Sequence, residues 1–330
     1  MSRDFEFDRA HSTYQMQPGE RIMVFSDLHV GDKYKEKRGG LSDTDIKGAL
    51  LHAMSRCNKL VLAGDIVELL YPKNPETAQI ESLKFLKTLC GEAKKNHCSI
   101  EFLFGNHEYS INEDKSHTIP ENFVRGLLEL QEEYPKQFHL HPVAYRFGSE
   151  AESVLVWHGD LQAREHERAP LAKRCVNASE WWRAAGSYSD HERSNRLKSQ
   201  LETILSAPDA DAMLGFQPAS ESWPALGAVK RITFGHTHDP FVGASLDLLT
   251  FPRKPPPHIT RRGFVERLGL VYDNPGTAKE EGLCFPVLYH VGEKGEIAAQ
   301  QYKATVSGSK CTLDPVDPGR QKIGRWGVGV

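Results

Sequence analysis

Five times along this chain a short apolar run stops abruptly at a carboxylate, an amide or an imidazole. The runs are Arg21–Ser26, Lys59–Ala63, Ser99–Phe104, Ser153–Trp157 and Val229–Phe234. Runs of this length and composition read as buried strands. The residues that follow them are Asp27 with His29, Asp65, Asn106 with His107, His158, and His236 with His238. The stretch Phe104-Gly105-Asn106-His107-Glu108 is the densest, with an amide, an imidazole and a carboxylate in a row. Its glycine suits a sharp turn at the end of a strand.

Between the first three runs lie two segments of helical spacing. Asp45 to Cys57 places Ile46, Leu50, Leu51 and Met54 on one side, and Glu76 to Lys95 does so with Ile80, Leu83, Phe85, Leu86 and Leu89. A third such segment runs from Pro120 to Tyr134. Alternation of strand and helix points to α/β layering. In open sheets of this kind ligands bind at the carboxyl ends of the strands, which is where Asp27, Asp65 and Asn106 fall. Phe138–Leu140 and Val143–Phe147 read as short strands opening a more antiparallel region.

Residues two apart on an extended segment face the same side. Asp27 and His29 can therefore aim at one point, as can His236 and His238. Taken alone, Asp27 and His29 read rather as a turn aspartate beside a solvated histidine. The loop from Lys33 to Gly40, with Lys33, Lys35, Lys37 and Arg38, is either a solvated charge run or a guide for an anionic substrate.

Residues 161–226 differ in character, being polar, basic and helical, with Trp181 and Trp182 adjacent. They read as a helical insertion or cap beside the site, or else as an ordinary surface layer. Leu268–Tyr272 reads as a strand followed by a turn at Asp273–Gly276, and Phe285–Val291 with Ile297–Tyr302 as a terminal hairpin. The expected organisation is a polar lead-in over 1–20, one domain over 21–313 that contains the insertion, and a loosely ordered tail over 314–330.

Composition narrows the class. With 39% hydrophobic and 26% charged residues, the 330-residue chain is expected to fold as a globule. A formal net charge of -3 offers no global attraction to nucleic acid or an anionic membrane. The six cysteines are scattered without a Cys-x-x-Cys pair, so neither a zinc knuckle nor a disulfide framework is expected. Met1 to Gly19 holds no apolar signal core, and no apolar run is long enough to span a bilayer. A cytoplasmic setting is the expectation. Fifteen histidines invite a search for metal ligands.

Taken together and in order, the five strand ends resemble the calcineurin-like metallophosphoesterase superfamily, over the span from Ile22 to the last hairpin. The resemblance implies an α/β fold, a layered β-sandwich flanked by helices, here with the helical cap. It implies two divalent metal ions, one held by Asp27, His29, Asp65 and His238, the other by Asp65, Asn106, His158 and His236, with Asp65 bridging. Mixed carboxylate, amide and imidazole donors suit Mn, Fe or Zn, with Mn favoured. Such a pair clamps a phosphate and lowers the pKa of a bridging water. His107 is implied as the acid that protonates the leaving oxygen, oriented by Glu68, which stands where the protein-phosphatase branch has aspartate.

Gly64–Glu68, His158-Gly159-Asp160 and the insertion are also similar to the UDP-2,3-diacylglucosamine pyrophosphatase branch. Arg164, Arg168 and Arg174 would then hold a second anionic group of a phosphorylated small-molecule substrate. The expected activity is metal-dependent hydrolysis of phosphoester or pyrophosphate bonds. The alternatives are a nuclease of the same fold, to be told by a basic aromatic groove, and a non-catalytic metal-binding scaffold, to be told by missing ligands.

Overall fold

A computed structural model describes residues 13–72, 74–108, 110–111, 117–141, 144–158, 226, 228–235, 241–245, 271–279, 284–307 and 310–316. The elements of the first half are β1 (Thr13–Gln15), β2 (Arg21–Phe25), α1 (Asp43–Met54), β3 (Lys59–Ala63), α2 (Pro75–Lys95), β4 (Ser99–Leu103), β5 (Ser110–Ile111), β6 (His117–Thr118), α3 (Glu121–Glu133) and β7 (Phe138–His141). Then follow β8 (Ala144–Gly148), β9 (Glu152–Trp157), β10 (Ala228–Phe234), β11 (Phe241–Ser245), β12 (Val271–Asn274), β13 (Val287–Val291), β14 (Ile297–Ser307) and β15 (Lys310–Pro315).

Two sheets carry the architecture. One has the order β15-β14-β13-β2-β3-β4-β7, the other β1-β8-β9-β10-β12-β11. In the first, β2, β3, β4 and β7 run parallel, as the intervening helices α1, α2 and α3 require. The strand Phe138–His141 thus extends the parallel set instead of opening an antiparallel region; in the second sheet β8 and β9 pair antiparallel, but β9, β10 and β12 run parallel.

The continuous apolar runs follow from burial on both faces. Ile22 and Val24 of β2 meet Tyr145, Phe147, Val154 and Val156 of the second sheet. The alternate residues Met23 and Phe25 belong to the core cluster that also holds Ile46, Leu50, Leu86, Leu89, Phe123 and Leu127 of the helices. Fully burying one such aliphatic or aromatic side chain contributes roughly 1.5–3 kcal/mol. The outcome is a layered α/β sandwich. The cap over 161–226 lies outside the described residues apart from its last residue, as do Arg164, Arg168 and Arg174.

Local chemistry sets the helix starts. Ser42 Oγ accepts the Asp45 N–H at 3.1 Å, so α1 begins at Asp43 rather than at Asp45. Asn74 caps α2, with Pro75 in its first turn. Ile80, expected on the apolar face of α2, is exposed.

Four expectations need correcting. Asp273 is not in a turn but in β12, buried, where it accepts both Arg231 Nη1 and Tyr289 O–H. The last hairpin is not terminal, because β15 adds a third antiparallel strand that reaches Pro315. The lead-in contains β1, which pairs with β8. Lys35 is buried, not a solvated guide: its Nζ donates to His29 O at 3.1 Å and pairs with Asp43. Cys57, Cys90, Cys98, Cys284 and Cys311 are free thiols. No helix among the described residues is long and apolar enough to cross a membrane.

Candidate metal centre

The loops after β2, β3 and β4 run side by side past the strand ends. Asp27 N donates to Gly64 O, His29 N to Asp65 O and Val30 N to Ile66 O, at 3.0, 2.9 and 2.8 Å. Leu69 N then donates to His107 O at 2.8 Å. Asp27, His29 and Asp65 take φ of 53°, 47° and 54°. These are left-handed values that non-glycine residues rarely adopt, and such strain concentrates at functional sites. Asp27 and His29 are therefore presented by tight left-handed turns, and not by the period-two alternation of a strand.

Two glycines are required by close approach. A Cβ on Gly105 would lie 2.4 Å from Asp65 Oδ1 and 2.7 Å from His158 Cδ2. One on Gly235 would meet Ser26 Oγ at 1.8 Å and Asp27 Oδ2 at 2.2 Å. Gly105 is not among the positive-φ residues. It is small so that the carboxylate can pack against it, not in order to turn.

Asp65 is the common member of two donor groups, Asp27 with Asp65 and His158, and His29 with Asp65 and His107. Its Oδ1 accepts the His107 N–H at 2.7 Å and faces His158 Nε2 at 3.2 Å. Its Oδ2 faces His29 Nε2 and His107 Nε2, each at 3.9 Å. Burial alone would raise the Asp65 carboxyl, but the imidazoles of His158, His107 and His29 hold it well below the usual range. It stays ionised. His29 is lowered to about 4 by burial and is neutral near pH 7.

The donors fit a cation. His158 Nδ1 lies 2.9 Å from Ala63 O, so Nδ1 carries the ring proton. Nε2 is then turned toward Asp65 Oδ1 at 3.2 Å and Asn106 Oδ1 at 3.3 Å. With Nε2 deprotonated, as a metal ligand must be, three lone-pair donors converge there. A backbone carbonyl fixing one ring nitrogen so that the other can coordinate is the usual support of a metal-bound histidine.

One donor group joins Asp27 with Asp65 and His158, and the other joins His107 with His29 and Asp65. The rings of His29 and His107 lie 4.4 Å apart, edge to face. Both turn Nδ1 to Glu68 Oε2, His107 at 2.7 Å and His29 at 3.3 Å. Glu68 Oε1 is fixed in turn by the N–H groups of Leu70 and Tyr71. Burial would raise the Glu68 carboxyl, but the hydrogen bonds from His107 and His29 depress it strongly. His107 moves the other way: burial would lower it, yet Asp65 and Glu68 raise it above 6.5. Its side chain is 12% exposed, so the ring reaches the mouth of the site, where Tyr71 stands in the open 6.0 Å away. His236 and His238 lie outside the described residues.

Sequence reasoning missed two supports. Glu108 is neither ligand nor acid in this arrangement. Fully buried, it accepts backbone N–H groups from Gly105 and Asp65 on Oε2 and from Ile66 and Val67 on Oε1. Thr277 Oγ1 and Ala278 N both donate to Asp27 O, at 2.9 and 3.0 Å. Nothing in the local sequence marks either role, since both are backbone contacts to distant loops.

A sandwich with acidic and imidazole donors at the carboxyl ends of its strands defines a class of metal-dependent hydrolase. The chain belongs to the calcineurin-like phosphoesterase family, whose sequence profile matches residues 20–240. Phosphoester hydrolysis is the chemistry of that family. Among solved structures, the chain is similar to phosphopantetheinyl hydrolase from Mycobacterium tuberculosis, at 15% identity over 82% of this chain and 92% of that one, with a TM-score of 0.31. It is also similar to the protein TT1561 of Thermus thermophilus, at 9% identity over 85% and 97% of the two chains, with a TM-score of 0.32. Likenesses this distant carry no inference about activity. No curated protein matches.

Proposed function

We propose that the protein hydrolyses phosphoester or pyrophosphate bonds of a phosphorylated small molecule with two divalent metal ions, manganese favoured. The observation that carries this reading is the Asp65 carboxylate, which presents its two oxygens to different imidazoles, His158 on one side and His29 with His107 on the other. Asp27, His29, Asp65, Asn106, His158, His236 and His238 are the proposed ligands. Bound there, divalent cations neutralise phosphoryl charge and acidify water.

The remaining roles belong to the chain. His107 is the proposed proton donor to the leaving oxygen. Its Nδ1–H is held by Glu68, which leaves Nε2 as the atom that exchanges the proton. Glu68 keeps the ring in one orientation and favours its protonated form. Asp65, buried and ionised, stays a ligand rather than a base. Arg164, Arg168 and Arg174 are proposed to hold a second anionic group of the substrate.

The test is turnover of the manganese-loaded protein on nitrophenyl phosphate, bis-nitrophenyl phosphate and a nucleoside diphosphate sugar. Hydrolysis of at least one, abolished by chelation and restored by metal, is expected. Metal bound at two per chain with no hydrolysis of any phosphate ester would leave a binding scaffold. Cleavage confined to single- or double-stranded nucleic acid would make it a nuclease.

A further inference from the structure

Lys279 reaches the site from a part of the chain that none of the five strand ends supplies. The turn that carries it is tied to the loop after β2 through Thr277 and Ala278 on Asp27 O. Leu41 N donates to Ala278 O at 2.9 Å, and Lys279 N to Thr277 Oγ1 at 3.0 Å. A Cβ on Gly40 would lie 2.6 Å from the carbonyl oxygens of both Ala278 and Lys279, so the two segments are in backbone contact. The position of Lys279 is therefore set by the same residue, Asp27, that is a proposed metal ligand.

The ammonium stands 3.6 Å from Asp32 Oδ2 and 4.0 Å from Glu68 Oε2, on a side chain 14% exposed. Both contacts are longer than a hydrogen bond. Glu68 Oε2 is already engaged by His107 and His29. The two carboxylates thus attract the ammonium and hold it beside the His107–Glu68 pair by charge, with neither oxygen within hydrogen-bonding distance.

We propose that Lys279 is a substrate-binding residue whose ammonium takes an anionic phosphoryl oxygen on the His107 side of the site. A compact ammonium with three rotatable donors suits that task, and a charge-assisted bond to phosphate is shorter and stronger than the loose pairs it replaces. The inference rests on the phosphoester-hydrolase reading above.

Inorganic phosphate is the probe, titrated calorimetrically into metal-loaded wild type, Lys279→Met, Lys279→Ala and Lys279→Arg. Phosphate binding about tenfold or more weaker is expected in Lys279→Met and Lys279→Ala, as for the loss of one hydrogen bond to a charged group. Lys279→Arg should retain most of it. Metal content and melting temperature should not change, and any esterase activity should lose KM before kcat. An unchanged phosphate constant in both neutral variants overturns the inference and leaves the hydrolase reading standing. A lowered melting temperature with unchanged phosphate binding also overturns it and reduces Lys279 to an ion pair with Asp32. A metal-loaded wild type that binds no phosphate overturns the hydrolase reading, and this inference with it.

Discussion

Glu108 and Asp65 clamp each other's turns. Glu108 Oε2 accepts the Asp65 N–H at 2.9 Å, while Asp65 Oδ1 accepts the N–H of His107, the residue before Glu108, at 2.7 Å. Each carboxylate thus holds the backbone that carries the other. The left-handed φ of 54° at Asp65 persists because both loops are tied at this point.

Glu108→Gln should break that clamp. An amide has one acceptor oxygen and turns two N–H donors toward backbone N–H groups. Burial and the neighbouring Asp65 push the Glu108 carboxyl up to about 7, so the cost is counted on the donors: each buried N–H left without an acceptor costs about 1–3 kcal/mol, and a loss of about 3 kcal/mol is expected. Urea denaturation of the metal-free protein measures it, and metal retention should fall in parallel. Unchanged stability would mean that the loops hold their strained turns without Glu108.

Asp65→Ala removes the carboxylate shared by both donor groups. Elemental analysis should find both metals gone, or one poorly held. Two tightly bound metals per chain in this variant would end the bridging role.

His107→Ala should retain its metals and lower kcat by roughly 10²–10⁴ on alkyl phosphate esters. The loss should be smaller on nitrophenyl esters, whose leaving groups need less protonation. Equal losses on both would remove the acid role from His107.

Gly105→Ala places a methyl group 2.4 Å from Asp65 Oδ1. Overpacking of this kind costs typically about 1–3 kcal/mol, and here the strain falls on the proposed bridging ligand. Metal affinity and activity should drop more steeply than the melting temperature. A variant with wild-type metal affinity would show that the Asp65 carboxylate can shift without consequence.

A pH effect is expected away from the metals. Glu101 is buried in β4, paired with Lys59 and in contact with His139 and His141. Burial would raise its carboxyl, but Lys59 and the two histidines hold it well below 4.5. A depressed carboxyl contributes stability above its ordinary value that is lost as pH falls. His141 is lowered from 6.5 by burial, so it too costs stability as the unfolded chain takes up protons on acidification. His139, raised above 6.5 by Glu101, opposes them in part. Melting temperature of the metal-free protein should therefore fall from pH 7 to pH 4, with a shallower fall below pH 5 in Glu101→Gln. Parallel curves would place the acid sensitivity elsewhere.

The parallel core is legible because its strands are apolar on both faces. The run Lys59–Ala63 has the boundaries of β3, since no solvated position interrupts it. Strands at the margins are not legible in this way. β1 is half-buried throughout, and β15 alternates exposed with buried residues, so neither carries the continuous apolar signal of a central strand. Cap chemistry moves the start of α1, because the Ser42 hydroxyl supplies an acceptor that periodicity does not register.

Which residue types stand at the strand ends is written in the chain, and with them the family and the candidate ligands Asp27, His29, Asp65, Asn106 and His158. Which of these face one another is a matter of three-dimensional packing. Asp27, His29 and Asp65 are presented by left-handed turns held by distant backbone partners. Packing also puts Glu108 under the Asp65 loop, buries Lys35 behind His29, and brings Lys279 to Glu68 from the far half of the chain. The reason is physical. Residue type and spacing are local properties. A hydrogen bond from Thr277 to Asp27, across 250 residues, forms only once the sheets have packed and the two loops share one rim.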